Sequence, residues 1–302
     1  MRIALVGLGD IAQKAYLPLL ASDERVTPLL CTRNPAVLAK LARQYRISEC
    51  FTEVEALLAS RPDAVMIHAA TAVHLELAAQ CLRAGIPTFV DKPLCFDYAE
   101  AEALANLAMA QDCPLFVGFN RRYLPAMGAA RAQPLTELHW QKHRHYLPGA
   151  PRQFLFDDFI HVLDSLCCYG GVPDGDLHAV LRRSAQDPDM LVSASVAWQS
   201  GQVAVSGSMN RSAGITEERI DAYGDNLSLH IENCTRGTCA RDKAVQTLVP
   251  DDWQPVLASR GFVAMLDHWY GQVELGRADG ALIESYLHGH RLAEQLVALA
   301  GE

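Results

Sequence analysis

Three groups of residues in this chain have the types and spacing to do chemistry. The first is Gly7-Leu8-Gly9-Asp10-Ile11-Ala12, directly after the apolar run Ile3 to Val6. A glycine-x-glycine-x-x-alanine turn between a strand and a helix suits a dinucleotide. Gly7 allows the tight turn, Gly9 lets backbone approach a pyrophosphate, and Ala12 lets the helix pack closely on the strand. The first helical turn, with Asp10 and Ile11, directs N–H groups at the anion. The second group is Asp91-Lys92-Pro93, at the carboxyl end of a later apolar run, where open α/β sheets hold their ligands. A lysine there could move a proton, and the proline would fix the backbone, through a cis bond if needed. On the residues alone, a surface lysine is the slightly plainer reading.

The third group is Asp157-Asp158-Phe159-Ile160-His161-Val162-Leu163-Asp164. On a helix Asp157 and His161 lie four apart on one face, and Asp164 is three beyond. A carboxylate beside an imidazole orients it for acid–base work. Helix capping by Asp157 or Asp158, with His161 a satisfied core histidine, is an equal reading. Cofactor choice is addressed by Cys31-Thr32-Arg33-Asn34, where an NAD site usually carries an acidic residue and this chain has none. A hydroxyl followed by arginine suits a 2′-phosphate, so NADP is expected ahead of NAD. The plain alternative is a solvated Arg33.

These groups need a scaffold. Short apolar runs at Ile3 to Val6, Val26 to Cys31, Ala64 to His68, Thr88 to Val90 and Leu115 to Val117 alternate with amphipathic stretches. That alternation predicts a parallel, doubly wound sheet. Asn34-Pro35 and Asp97-Tyr98-Ala99-Glu100 read as helix starts, Ala84-Gly85 as a helix end, and Pro18 as a kink. After Tyr123 a helix is expected from about Asp157 to Tyr169. Extended runs follow at Leu177 to Arg183, Leu191 to Trp198, Gln202 to Met209, Arg219 to Tyr223 and Leu227 to Ile231. Ser200-Gly201 and Gly224-Asp225-Asn226 read as hairpin turns. Helices are expected near Phe262 to Leu275 and Ala281 to Leu299. The fold class is therefore α/β: an N-terminal Rossmann domain over 1–120, then a C-terminal α+β domain over 121–302 with a mostly antiparallel sheet.

With 302 residues, half of them hydrophobic, and a formal charge of −9, the chain reads as globular and lacks the cationic surplus of a nucleic-acid protein. No stretch has the length of a membrane span. The nine scattered cysteines suggest reduced thiols and a cytoplasmic protein. In Leu138 to His145, His139, His143 and His145 share one strand face and Lys142 and Arg144 the other. No carboxylate or cysteine nearby completes a zinc set, so no metal is expected. One face could line a substrate cleft and hold an anionic group; a solvated face is as good a reading.

Taken together, the sequence resembles the Gfo/Idh/MocA oxidoreductases. The matching features are Gly7-x-Gly9-x-x-Ala12, Asp91-Lys92-Pro93, Gly118-Phe119-Asn120-Arg121-Arg122, Asp157-x-x-x-His161-x-x-Asp164 and Arg260-Gly261-Phe262. They run along nearly the whole chain, and their wording is nearest to the enterobacterial virulence-factor-type members. The resemblance implies an open second sheet that joins copies as a homodimer or homotetramer, and hydride transfer at nicotinamide C4. It implies Lys92 and His161 at the reacting oxygen with Asp157 assisting. Thr71, His74, Asp91 and Asn120 would lie near the cofactor, and Arg122, Lys142 and Asp158 near a small sugar, cyclitol or related hydroxy or carbonyl substrate. The departures are Asp91 for the usual Glu, Ala70-Thr71 for Pro-Asn, and Gln153-Phe154-Leu155-Phe156 with Phe159 where glycines usually stand. Large side chains there would narrow the substrate pocket. A nucleotide-sensing binding protein without catalysis is the alternative they raise.

Overall fold

The first sheet is made of β1 (Arg2–Val6), β2 (Thr27–Cys31), β3 (Cys50–Phe51), β4 (Ala64–Ile67), β5 (Thr88–Val90) and β6 (Leu115–Val117) in a computed structural model that describes residues 1–301. All neighbours are parallel, in the order β3-β2-β1-β4-β5-β6. Ile3, Ala4, Leu5 and the whole of β4 are inaccessible to solvent, which explains why these strands read as unbroken apolar runs rather than alternating ones. The chain leaves β1 toward β2 and returns to β4, so the sheet reverses between β1 and β4, and the carboxyl ends of these two strands frame the glycine turn.

Local signals position the helices. Asn34 accepts hydrogen bonds from the N–H groups of Ala36 and Val37 and starts the helix Pro35–Tyr45. Asp97 caps Tyr98–Ala110 through Glu100 N–H. The helix after β1 begins with a wide turn over Ala12–Tyr16, in which Leu17 N–H reaches back to Ala12 O. Pro18, which has no N–H to give, stands in the first turn of the regular helix Leu17–Ser22, where none is needed. The unit formed by 1–118 also takes in 262–284, and Trp269 of helix Phe262–Leu275 packs against Phe89 and Phe116.

The other unit, 119–261 with 285–302, holds an eight-stranded sheet. Its strands are β7 (Leu135–His143), β8 (His178–Arg183), β9 (Leu191–Ser200), β10 (Val203–Asn210), β11 (Glu217–Gly224), β12 (Leu227–Glu232), β13 (Arg236–Arg241) and β14 (Ala244–Leu248). The order is β14-β13-β12-β11-β7-β10-β9-β8, antiparallel except for β7 with β10. The two hairpins expected at Ser200-Gly201 and Gly224 to Asn226 join β9 to β10 and β11 to β12. β13 and β14 carry no alternating apolar pattern, because their side chains are at most half-buried; ladders join β13 to β12 and β14 to β13. Helix Ile160–Gly170 lies on β7 and β10, with Val162 and Leu166 against Gly207.

Candidate active site

In the first unit, Gly7 has φ +86° and donates its N–H to Cys31 O at 3.0 Å. A Cβ on Gly7 would come within 2.6 Å of Ala69 N and 2.8 Å of His68 C, so the turn closes on backbone and admits only glycine. A Cβ on Gly9 would meet nothing within 4 Å, which leaves open space before the helix N-terminus. Ala12 is inaccessible; Asp10 is exposed and paired with Lys14, and Ile11 is exposed. A cleft of about 1000 Å³ runs from Gly7 and Gly9 past Thr32 and Arg33 to Ala70 and Val73. A crowded glycine, an open one and a helix N-terminus beside a cleft fit a dinucleotide. Arg33 is exposed on the wall of this cleft, and Glu53, Glu55 and Glu76 line it too. Thr32 Oγ1 accepts from Asn34 N at 3.4 Å.

The peptide Lys92-Pro93 is cis. Asp91 holds this segment: its carboxylate accepts from Tyr16 Oη at 3.2 Å and from Lys92 N at 3.0 Å. Burial pushes the Asp91 carboxyl up, against the pull of the Lys92 cation. His74, buried at the start of helix His74–Arg83, bridges Pro93 O at 2.9 Å and Ala69 O at 3.0 Å, and so ties the lysine segment to the residue packed on Gly7. Thr71 stands in the short turn Thr71–Val73 before that helix. Beside them His68 stacks on Tyr16 at 4.1 Å, and neither of its ring nitrogens has a hydrogen-bond partner among the described residues. Burial, and then the neighbouring His74, lowers it to about 3, so it is a neutral ring.

In the second unit a wide turn over Phe154–Phe159 precedes helix Ile160–Gly170 and sets adjacent side chains on different partners. His161 is buried, and its Nδ1 lies 3.0 Å from Arg121 Nη1. Arg121 in turn grips Glu218 of β11 with Nε at 2.6 Å and Nη2 at 2.8 Å, and Trp140 Nε1 donates to the same carboxylate at 2.8 Å. Burial alone would raise Glu218, but Arg121 outweighs it and brings the carboxyl down to about 2. Asn120 donates to Arg260 O at 2.9 Å, and Gly261, at φ +81°, lets that segment approach: a Cβ there would sit 2.4 Å from Asn120 O.

Arg122 and Asp164, and Lys142, Arg144 and Asp158, are gathered into two ion clusters. Arg122 places Nε and Nη2 on Asp164, at 2.6 to 3.1 Å, and Nη1 on Ser285 Oγ at 2.7 Å, with Tyr286 under its guanidinium. Asp164 thus serves the arginine that anchors the last helix. Asp158 accepts from Lys142, from Arg144 at 2.8 and 2.9 Å, and from Arg211 at 3.1 Å. Burial, then repulsion from Arg121, pushes the Lys142 ammonium down to about 7 although Asp158 pulls it up. Lys142 and Arg144 share the inner face of β7 and its extension. On the other face His139 meets Ser206 Oγ at 2.6 Å and Glu137 at 3.3 Å, as the alternation required.

Comparison with known proteins follows the same division. Residues 1–119 match the family model for the NAD-binding Rossmann fold of the Gfo/Idh/MocA oxidoreductases, and 128–242 match a YceM-like C-terminal domain. A Salmonella typhimurium protein named as an oxidoreductase, YceM, is 30% identical over 303 residues, covering 98% of this chain and 97% of that one. The crystal structure of a Gfo/Idh/MocA family oxidoreductase from Vibrio cholerae superimposes with a TM-score of 0.94, at 43% identity and full coverage of both chains. This chain belongs to the Gfo/Idh/MocA oxidoreductase family. Another relative, the myo-inositol dehydrogenase Hyg17 of Streptomyces leeuwenhoekii, is 35% identical over 139 residues, 45% of this chain and 42% of its own.

Within this Gfo/Idh/MocA member the family's missing glycines have a local explanation. Phe154, Leu155, Phe156 and Phe159 are all inaccessible, and Phe159 packs beside Phe154. Phe159 is a core residue of its own unit. Arg121, Glu218 and Trp140 received no role from sequence reasoning, and neither did His68 and Arg211. Arg121 stands in the stretch Phe119-Asn120-Arg121-Arg122, but no local signal tells that the first arginine reaches His161 and the second reaches Asp164.

Proposed function

We propose that the protein is an NADP-using dehydrogenase or reductase that interconverts a hydroxyl and a carbonyl on a small sugar, cyclitol or related compound. Gly7, Gly9, Asp10, Ile11 and Ala12 would hold the pyrophosphate, and Thr32 and Arg33 the adenosine ribose with its 2′-phosphate. Bound in the cleft, the dinucleotide supplies the hydride acceptor or donor. Lys92 moves the proton of the reacting oxygen, with His161 and Asp157 at the same group. The observation that carries the reading is the fixed imidazole of His161, held by a guanidinium that is itself clamped on a buried carboxylate. A protein that only sensed a nucleotide would gain nothing from so costly an arrangement. The small-molecule specificity is suggested by the cyclitol relative. Assembly of copies through the open sheet and a cytoplasmic location complete the proposal; among the described residues no helix is long and apolar enough to cross a membrane.

The test is nicotinamide absorbance with NADP and NADPH across a panel of sugars, cyclitols and aldehydes. Lys92→Met is expected to lose turnover and keep dinucleotide binding; full turnover in that variant overturns the role of Lys92. Arg33→Ala is expected to weaken NADP by roughly tenfold or more and leave NAD unchanged, the size of a lost charged hydrogen bond. Binding without turnover on any member of the panel would favour the sensor instead.

A further inference from the structure

Arginine has five N–H donors and no lone pair, so any atom it hydrogen-bonds must accept. Glu218 takes Nε–H and Nη2–H in a paired fork, and Nη1 is directed at Nδ1 of His161 at 3.0 Å and at Asn120 Oδ1 at 3.4 Å. The fork is enclosed: the Arg121 and Glu218 side chains are only 15% and 10% exposed. Trp140 Nε1 and the bidentate contact leave the carboxylate no freedom to turn. Nδ1 of His161 must therefore present its lone pair, and the proton of the neutral ring must sit on Nε2. A second proton on Nδ1 would set two N–H groups and two cations against each other.

From this we infer that Arg121 is a positioning residue that fixes His161 as the Nε2–H tautomer, and that His161 acts as a hydrogen-bond donor to the substrate oxygen and not as the base. The inference rests on the proposed oxidoreductase reading and divides the labour within it. In the reducing direction, hydride from a reduced nicotinamide dinucleotide bonds to the carbonyl carbon and the π pair moves onto oxygen. His161 Nε2–H stabilises that oxygen without giving up its proton. The Lys92 ammonium donates the proton that completes the hydroxyl and is left as a neutral amine, reprotonated from solvent. In the oxidising direction the same amine receives the proton, because Nε2 has no lone pair to offer. The imidazole polarises a carbonyl while staying neutral, a role open to histidine when its other nitrogen is held as an acceptor.

Two measurements decide this. The first is ¹⁵N NMR of ring-labelled protein without substrate: His161 is expected to show a protonated Nε2 and an unprotonated Nδ1 at neutral pH. In Arg121→Met, with Arg121→Met/Glu218→Gln as the variant that leaves no buried charge unpaired, the resonances should move toward a tautomer mixture. Turnover should fall about 10- to 100-fold in kcat with little change in KM, less than the roughly 10²- to 10³-fold that deleting an oxyanion donor outright costs. The second uses His161→Gln, whose carboxamide can accept from Arg121 and donate to substrate but cannot act as a base. It is expected to keep turnover at least tenfold above His161→Ala. A protonated Nδ1 in the wild type, or His161→Gln as inactive as His161→Ala, overturns the inference. Wild-type turnover on no substrate would sink the oxidoreductase reading instead, while the NMR result would still decide the tautomer.

Discussion

Gly7 and Gly9 are two residues apart and chemically identical, yet their surroundings predict opposite failures. Gly7→Ala puts a methyl within 2.6 Å of Ala69 N and 2.7 Å of Ala69 Cα at a φ of +86°. The left-handed backbone costs an L-residue about 1–2 kcal/mol, and forcing packed backbone apart adds about 1–3 kcal/mol. The reduced freedom of the unfolded chain returns about 0.4–1 kcal/mol, leaving a net loss of roughly 1–5 kcal/mol. At about 2–4 °C per kcal/mol for a chain of this order of size, the melting temperature should drop by roughly 2–20 °C. Gly9→Ala meets nothing within 4 Å and should melt within about 0.5 kcal/mol of the wild type. Its methyl would occupy the approach to the pyrophosphate, where each lost charged hydrogen bond is worth about 1.5–3 kcal/mol, so NADP affinity should fall by about 10-fold or more. Thermal melts without ligand and calorimetric titration with NADP separate the two effects. If Gly9→Ala melts as early as Gly7→Ala, or binds NADP as tightly as the wild type, the assignment of roles within the turn is wrong.

The Asp158 cluster makes two further predictions. Asp158→Ala leaves Lys142, Arg144 and Arg211 without their shared carboxylate, and removing one partner from a buried pair costs about 3–5 kcal/mol; a loss under about 1 kcal/mol by urea unfolding would show that solvent reaches the cluster. Lys142 has a depressed affinity for its proton in the folded state, so below about 7 its burial penalty is fully present and it fades as pH rises toward 10.5. Stability measured between pH 7 and 8.5 should therefore climb more steeply in the wild type than in Lys142→Met, by at most about 1.4 kcal/mol per pH unit, and parallel curves would contradict the assignment.

Much of the first unit was legible because its determinants are local. An apolar run followed by Gly7-x-Gly9 needs few partners to become a strand and a tight turn. Asn34 and Asp97 cap helices whose N–H groups lie within three residues of them. The hairpins of the second sheet were equally visible, since Ser200-Gly201 and Gly224 to Asn226 bend the chain by themselves. β13 and β14 were not, because strands that bury no side chain leave no alternation to read.

The chemistry of the second unit was decided by tertiary structure. Sequence spacing put Asp157 and Asp164 beside His161, as a helix would. The fold instead brings Asp164 to Arg122, 42 residues away, and Arg121 to both His161 and Glu218, the latter 97 residues distant. Strand order does this: β7 and β11 are neighbours although 73 residues separate Leu135–His143 from Glu217–Gly224, and their register sets Glu218 opposite Lys142. The wide turn at Phe154–Phe159 then directs Asp158 to one cluster and leaves Phe159 in the core. Residue types announced an imidazole, a lysine and carboxylates for acid–base work. Which nitrogen of the imidazole holds the proton follows only from the guanidinium that long-range packing sets against it.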